Sequence, residues 1–197
     1  MQTDPLCPAC WEWRSFDCQP RLWREALREA VPTASGSLTS AIHLLTRQSP
    51  GTVKLRDGRV EVKQLLPTNE TGLELWQSVM NEGFPLAPGI LAELCRVWQR
   101  PPPEANPTLP TAEHLLSFIS RSAPDVCIIP IREWRRTYRL QDCVAERVTV
   151  LVDWWLLEAL SLAHTDLATL RSALRAVRLD REPNTNYVVE LKRRIGW

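Results

Sequence analysis

Charged residues fall at alternate positions of a short segment, residues 53–63, which the sequence predicts to be a β-hairpin. Its Asp57-Gly58 pair is typical of a two-residue turn, because glycine tolerates the positive φ that such turns require. Strand alternation would place the valines and the leucine on one face and the charged side chains on the other. The charged set consists of Lys54, Arg56, Arg59, Glu61 and Lys63. Such a face suits a polyanion, and the alternative is an amphipathic hairpin whose polar face lies in water.

Carboxylates stand alone in several other predicted strands. Glu12 alternates with two tryptophans, Glu146 lies among valines and an alanine, and Glu158 interrupts the apolar run at residues 154–162. An unpaired carboxylate in an apolar run is costly, so Glu158 needs a cation or a metal ion nearby, whereas Glu12 shares its predicted face with Arg14. A structural salt bridge across the sheet and a functional role are both open.

A later predicted strand is rich in arginine. Alternation places Glu133 and Arg135 on one of its faces and Arg132 and Arg136 on the other, without fixing which face points inward. Pro130, just upstream, predicts a β-bulge, because proline cannot donate to the strand ladder.

Strands and helices alternate in a way that predicts an antiparallel α+β protein, with helices covering the apolar side of a sheet. The predicted strands are 9–16, 38–45, the hairpin 53–63, 126–140, 143–153 and 154–163. The predicted helices are 20–31, 72–81, 89–99, 111–121 with Thr111 as its N-cap, a helix capped by Thr165, and 184–196. Residues 101–110 hold five of the sixteen prolines and predict a loop. If the sheet curls shut under its helices, the charged face points into a barrel.

Composition sets the broad class. A chain of 197 residues is most simply one domain, residues 1–197, and its formal net charge of +1 disfavours a general nucleic-acid partner. No apolar segment is long enough to span a bilayer, and no secretion signal is evident, so we expect a cytoplasmic protein without a membrane partner. Cys7 and Cys10 have the spacing of half a zinc site, with Cys18 nearby, but reduced and buried thiols are the alternative.

A closed barrel with cations on one wall and carboxylates on another suits triphosphate chemistry. The cations would bind phosphate oxygens, and the carboxylates would hold Mg²⁺ or Mn²⁺, which prefer oxygen ligands. Displacement at phosphorus would then depend on positioning and charge neutralisation rather than on a protein nucleophile.

The order of these motifs resembles the triphosphate tunnel metalloenzymes of the CYTH superfamily, from about Trp11 to Gly196. The motifs are Val53-Lys-Leu-Arg56, Arg59-Val-Glu-Val-Lys63, Gly72-Leu-Glu-Leu-Trp76 and Phe84-Pro85, then an arginine-rich strand and a carboxylate-bearing strand pair. The resemblance implies an eight-stranded antiparallel β-barrel, the triphosphate tunnel, with helices packed on its outside and Mg²⁺ or Mn²⁺ as cofactor.

The resemblance also implies roles for individual residues. Lys63 and Arg135 are expected to be catalytic. The expected substrate-binding residues are Lys54, Arg56, Arg59, Lys63 and Arg135. The expected metal ligands are Glu12, Glu61, Glu146 and Glu158. Glu12 stands for the opening Glu-x-Glu-x-Lys signature, where this chain reads Glu12-Trp-Arg14-Ser-Phe16.

Three functions are compatible with this pattern. The first is metal-dependent hydrolysis of a triphosphate-containing substrate such as inorganic tripolyphosphate, a nucleoside triphosphate or thiamine triphosphate. The second is a tunnel that binds polyphosphate or a nucleotide without turnover. The third is an interaction protein, with a protein partner or a homodimer, because nine tryptophans are many for 197 residues and any exposed ones would favour a partner surface. Trp197 is the tryptophan that we expect to be exposed.

Overall fold

Eight antiparallel strands close into a barrel in the computed structural model, which describes residues 8–16, 20–67, 72–104 and 107–197. The strands are β1 (Cys10–Phe16), β2 (Val31–Pro32), β3 (Ser37–Leu45), β4 (Thr52–Arg56), β5 (Arg59–Leu66), β6 (Glu74–Gly83), β7 (Cys127–Leu140), β8 (Cys143–Val152) and β9 (Trp155–His164). The order around the barrel is β7, β3, β4, β5, β6, β1, β9 and β8, and the pairing of β8 with β7 closes it. The short β2 pairs with the far end of β7. The predicted fold class is confirmed.

Helices cover the barrel on the outside in two layers. The helices of the described residues are α1 (Pro20–Ala26), α2 (Ile90–Val97), α3 (Ala112–Ser122), α4 (Leu167–Ala176) and α5 (Tyr187–Arg194). Helices α2 and α3 bury the outer face of β4 and β5 in one apolar core. Helices α1 and α4 share a second core with β1, β8 and β9. The first residues of α5 reach the barrel interior, where Val188 and Leu191 join an apolar cluster with Leu45 and Ile129.

The predicted hairpin is confirmed as β4 and β5. Asp57 and Gly58 both have positive φ, 50° and 70°, and the strands pair Lys54 with Glu61 in the predicted register. Val53 and Val62 lie on the outer face and are fully buried beneath α2 and α3. Because the apolar face of the hairpin is turned outward to these helices, its charged face must point into the barrel.

The helix predicted over 72–81 is wrong, because this segment forms strand β6 between β5 and β1. The pairing shifts within it: Val62 pairs with Met80, whereas Lys63 pairs with Ser78, so Val79 is an extra residue in a β-bulge. The bulge reverses the alternation, and the buried Trp76 and Met80 end up four residues apart. That spacing imitates the apolar stripe of a helix.

Other helix boundaries differ in detail. The first predicted helix ends at Ala26 and continues as a short 3₁₀ turn and strand β2. Thr111 caps α3 as predicted, accepting a hydrogen bond from the His114 amide. Thr165 is not the cap of α4, because the Asp166 carboxylate accepts from the Thr169 amide at 2.8 Å. The final helix begins at Tyr187, after Asn186 as its N-cap.

The bulge predicted at Pro130 is also wrong. The register between β3 and β7 runs without a break across the Pro130 and Ile42 pair. Strand β8 pairs with β7 only from Arg132 onward, so no β8 hydrogen bond is lost at Pro130.

Cys7 of the predicted cysteine pair, and the nearby Cys18, lie outside the described residues. Cys95 and Cys143 are buried and free. Among the described helices, none has the length and apolar character needed to cross a membrane.

Candidate functional site

A cavity of about 410 Å³ lies inside the barrel. Of the described side chains, five cations and four carboxylates line it. The cations are Arg14, Lys54, Arg56, Lys63 and Arg135, and the carboxylates are Glu12, Glu61, Glu133 and Glu146. They come from β1, β4, β5, β7 and β8, so that barrel closure brings together charges that are far apart in sequence. We call this lining the charged tunnel.

The hairpin forms one wall of the charged tunnel. Glu61 lies 2.9 Å from Lys54 Nζ and 2.9 Å from an Arg56 nitrogen, so one carboxylate serves two cations. Burial by itself would raise the pKa of Glu61, but Lys54 and Arg56 more than offset this and hold it below its usual value. Burial lowers the pKa of Lys54, and the nearby Arg56 charge acts in the same direction.

Strand β1 contributes a second ion cluster. Lys63 Nζ lies 3.3 Å from Glu12 Oε1, and Arg14 Nη2 lies 3.7 Å from Glu12 Oε2. Burial opposes ionisation of Glu12, but the charges of Lys63 and Arg14 lower its pKa overall. Arg14 also lines the tunnel, two residues after Glu12 on the same strand.

Arg135 holds the third cluster, between β7 and β8. Its Nη2 donates to Glu133 Oε2 at 2.9 Å, and its Nη1 donates to Glu146 Oε2 in a short contact. Glu133 is only 4% exposed, and burial would raise its pKa, but Arg135 lowers it below the usual value. Arg135 therefore favours the ionised form of the buried Glu133 and also contacts Glu146.

An aromatic stack borders the charged tunnel where α5 begins. The Tyr187 ring stacks on His43 with centroids 5.8 Å apart, and the Arg14 guanidinium lies 4.7 Å from the Tyr187 centroid. Burial and the nearby Lys54 lower the pKa of His43 to about 4, so this imidazole is neutral at pH 7. Burial also raises the pKa of Tyr187, which keeps its hydroxyl protonated.

Several buried polar atoms of the described residues have no hydrogen-bond partner, and they share one location. They are Arg14 Nη1, Thr39 Oγ1, His43 Nδ1, Thr52 Oγ1 and Tyr187 Oη, the last of which lies near the Glu133 carboxylate but outside hydrogen-bond geometry. Four of these residues line the cavity, and Thr39 faces inward on β3 beside Glu133. Most of these atoms can donate a hydrogen bond, and a buried donor without a partner is costly. The set fits a ligand that offers acceptor oxygens.

The structure brings together most of the residues predicted from sequence, with two exceptions. Arg59 does not line the cavity; its guanidinium instead binds the side chain and backbone of Asn81, at 2.8 and 2.6 Å. Glu158 lies on the outer face of β9, where it accepts from Thr149 at 2.7 Å and Arg147 at 3.2 Å. Because Ser161 lines the cavity and lies three residues further on, strand alternation turns Glu158 outward.

Arg14, His43, Glu133 and Tyr187 are among the lining residues that were not assigned from sequence. Arg14 and Glu133 lie two residues from Glu12 and Arg135 on inward faces, so alternation alone could have found them once the inward face was known. His43 pairs with Lys54 across β3 and β4, which likewise needs the register. Tyr187 reaches the tunnel from the C-terminal helix, and no local pattern indicates this.

The tunnel carboxylates do not form a ready metal-ligand set. Each of the four contacts at least one lysine or arginine. Within the described residues, no group of three or more His, Cys, Asp and Glu side chains is placed to hold a metal ion. The unpartnered atoms are mainly donors, which suit an anion rather than a cation. The residues therefore do not fit a protein-built metal centre.

Comparison with known proteins finds similar structures but no match by sequence. No family model matches the chain, and no curated protein matches its sequence. PH1012 from Pyrococcus horikoshii OT3 superposes with a TM-score of 0.53 at 10% identity, over 92% of this chain and 98% of that one. An adenylate cyclase candidate from Bacillus halodurans gives 0.51 at 11% identity, over 91% and 95%.

A third match is to HpAC1 from Hippeastrum, whose structural description reports a dominant triphosphatase activity. It gives a TM-score of 0.51 at 10% identity, over 95% of this chain and 96% of that one. Identities this low establish architecture only. The closed eight-stranded barrel and these superpositions show that the chain shares the fold of these proteins, which is the barrel fold that the resemblance to the triphosphate tunnel metalloenzymes implied.

Proposed function

We propose that the charged tunnel binds a small molecule containing a triphosphate or a longer polyphosphate. The observation that carries this proposal is the set of buried polar atoms without partners, Arg14 Nη1 foremost, four of which belong to residues that line one cavity together with five cations. Phosphate oxygens accept hydrogen bonds from guanidinium, ammonium and hydroxyl groups, and charge-assisted bonds of this kind are the stronger ones. A polyphosphate would satisfy these donors.

The tunnel carboxylates compete with an incoming ligand for the tunnel cations. Five cations face four carboxylates among the described lining residues, so the charges nearly cancel before a ligand arrives. An incoming phosphate must therefore compete with Glu12 for Lys63 and Arg14, and with Glu61 for Lys54 and Arg56. The proposed binding is specific in geometry but moderate in affinity.

Metal-dependent hydrolysis is a second candidate function, favoured by the triphosphatase activity reported for HpAC1, which has the same fold. Mg²⁺ or Mn²⁺ would arrive with the substrate, because such ions are commonly held by one or two carboxylates together with substrate phosphates. Lys63 and Arg135 would then neutralise charge on the phosphate oxygens.

Isothermal titration calorimetry with inorganic tripolyphosphate in the presence of EDTA tests the first proposal. Wild type should bind, and Arg14→Gln should weaken binding about tenfold, equivalent to about 1.4 kcal/mol. Arg96→Gln makes the same chemical change on the exposed surface of α2 and should have no effect. An absence of binding, or equal affinities for the two variants, would refute the proposal.

Phosphate release from tripolyphosphate with Mg²⁺ or Mn²⁺ separates the two candidates. Turnover that requires metal and is lost in both Lys63→Ala and Glu61→Gln would establish the hydrolase. Binding without turnover under any metal condition would leave the binding function.

A further inference from the structure

The outer face of the barrel between the two helix layers carries exposed apolar side chains. Leu38 is 66% exposed, Trp134 44%, Leu151 38% and Leu156 65%. Trp154, in the turn between β8 and β9, is 80% exposed. Large apolar side chains that lie together in water mark interaction sites in folded proteins. The prediction for Trp197 was different: it is half-buried, and the Arg47 guanidinium lies 5.3 Å from its ring.

Strand register makes these residues one continuous surface. Leu38 pairs with Trp134 across β3 and β7, and Leu151 pairs with Leu156 across β8 and β9. Arg132 pairs with Leu151 and joins the two halves. Side chains directly opposite each other on one face are in contact range. We call this surface the outer patch, defined by Leu38, Arg132, Trp134, Arg136, Leu151 and Leu156.

The outer patch is positively charged. Arg132 and Arg136 flank Trp134 on the same face of β7, and both are exposed. Neither makes an ion pair with any described residue, whereas Arg135 between them is held by two carboxylates inside the barrel. Arginine and tryptophan side by side are characteristic of the residues that dominate binding energy in protein interfaces.

Trp134 is held in place from beneath. A Cβ added to Gly36 would lie 2.5 Å from Trp134 Cζ2, so the indole rests directly on the Gly36 backbone. The φ of Gly36 is not in the left-handed region, so glycine is required here by the indole rather than by the backbone. Because the Trp134 indole is fixed against the backbone and still partly exposed, it is already positioned to contact a binding partner.

A groove of about 630 Å³ continues from the outer patch. It shares Arg132 and Leu151 with the patch and runs past Ile42 and Leu55 to Phe84. Asp57 and Asp153 lie in the turns at its margins, and Arg59 and Arg132 also line it, whereas Arg56 is paired with Glu61 in the tunnel. The groove is therefore mainly apolar and close to neutral, and the positive charge is concentrated in the outer patch, where Arg132 and Arg136 lie.

We propose that the outer patch and this groove bind an extended segment of another protein, acidic in character and carrying bulky apolar side chains. Charge complementarity selects an acidic partner for Arg132 and Arg136, and the leucines with the apolar groove select aliphatic or aromatic anchors. A second copy of this chain would bring two positive patches together, which is unfavourable. A nucleic acid would leave three exposed leucines without apolar partners.

Fluorescence anisotropy with labelled nine-residue peptides tests the proposal. One peptide alternates glutamate with leucine and phenylalanine, a second has lysine for glutamate, and a third has serine for the apolar residues. The first should bind wild type at least about tenfold more tightly than the others. Trp134→Ala and Gly36→Ala should each weaken that binding about tenfold. Val189→Ala, an exposed position on α5, should not.

Both patch variants should bind tripolyphosphate like wild type, which separates the outer patch from the tunnel. Three results would overturn the proposal. Competition between tripolyphosphate and the acidic peptide would place the peptide in the tunnel. A dimer in sedimentation that Leu156→Glu dissociates would identify a second copy as the occupant. Tighter, Trp134-dependent binding of an oligouridylate than of the peptide would identify a nucleic-acid surface.

Discussion

Lys63 Nζ lies 3.3 Å from Glu12 Oε1, although the two residues stand on β5 and β1, which are separated by β6. The ammonium group must therefore reach across the inward face of β6 to meet the carboxylate. The contact joins charges of two strands that are not neighbours, so the tunnel charges interact across the barrel interior and not only between paired strands.

Glu12→Gln should strengthen metal-free binding of tripolyphosphate. The change removes the carboxylate that competes for Lys63 and Arg14, and we expect about a fivefold gain in affinity, equivalent to about 1 kcal/mol. Calorimetry in EDTA measures it. Glu158→Gln is the matched control, because it makes the same change on the outer face of the barrel. Unchanged or weaker binding by Glu12→Gln would contradict the competition that we infer.

Arg14→Glu should change the part of the tunnel lined by β1 from a site that favours anions to one that favours cations. Two inward carboxylates would then stand two residues apart, and oxygen ligands of this kind suit Mn²⁺. We expect metal-free tripolyphosphate binding to fall by more than about tenfold and Mn²⁺ binding to appear. Electron paramagnetic resonance of free Mn²⁺ during titration reports the second effect. Arg14→Gln should lose tripolyphosphate affinity without gaining Mn²⁺, and a gain there would argue against this explanation.

His43 should make stability depend on pH between about 6.5 and 4. Burial, followed by the Lys54 charge, lowers the pKa of His43 from 6.5 to about 4. The unfolded chain therefore takes up a proton first as the pH falls, and the folded state loses about 3 kcal/mol across this window. His43→Phe keeps a ring against Tyr187 and should flatten the dependence, measured by urea unfolding at each pH. His114→Gln, on the exposed surface of α3, should leave the wild-type slope in place.

Arg135→Ala should be strongly destabilising, by about 3–5 kcal/mol at pH 7, because it leaves Glu133 buried as an unpaired charge beside Glu146. The pKa of Glu133 in the wild type lies below its usual 4.5, because Arg135 outweighs the opposing effect of burial. The stabilisation from this pair is thus present above about pH 4.5 and is lost as the pH falls through the lower folded value. The difference in the free energy of unfolding between wild type and variant should therefore become smaller at acidic pH. Urea unfolding at pH 7 and pH 3.5 checks this, and a gap that stays constant would show that the loss comes from packing.

Local patterns were sufficient for the hairpin and for most strands, because a two-residue turn and strict alternation are encoded within a dozen residues. They failed at β6, where the bulge at Val79 shifts alternation by one residue and imitates a helical stripe. They also failed for Glu158, because the side on which a strand residue lies depends on the inward face of the whole barrel. Tyr187 could not be foreseen, since its place beside Arg14 depends on how the C-terminal helix meets the barrel.

Successive residues of strand β7 point alternately into the tunnel and out to the outer patch. Glu133 and Arg135 belong to the tunnel, whereas Arg132, Trp134 and Arg136 belong to the outer patch, and the five residues are consecutive. Loss of one residue upstream in this strand would exchange the two sets, sending the indole inward and the buried carboxylate outward. Point substitutions can therefore tune either surface independently, but β7 cannot accept an insertion or deletion without losing both at once.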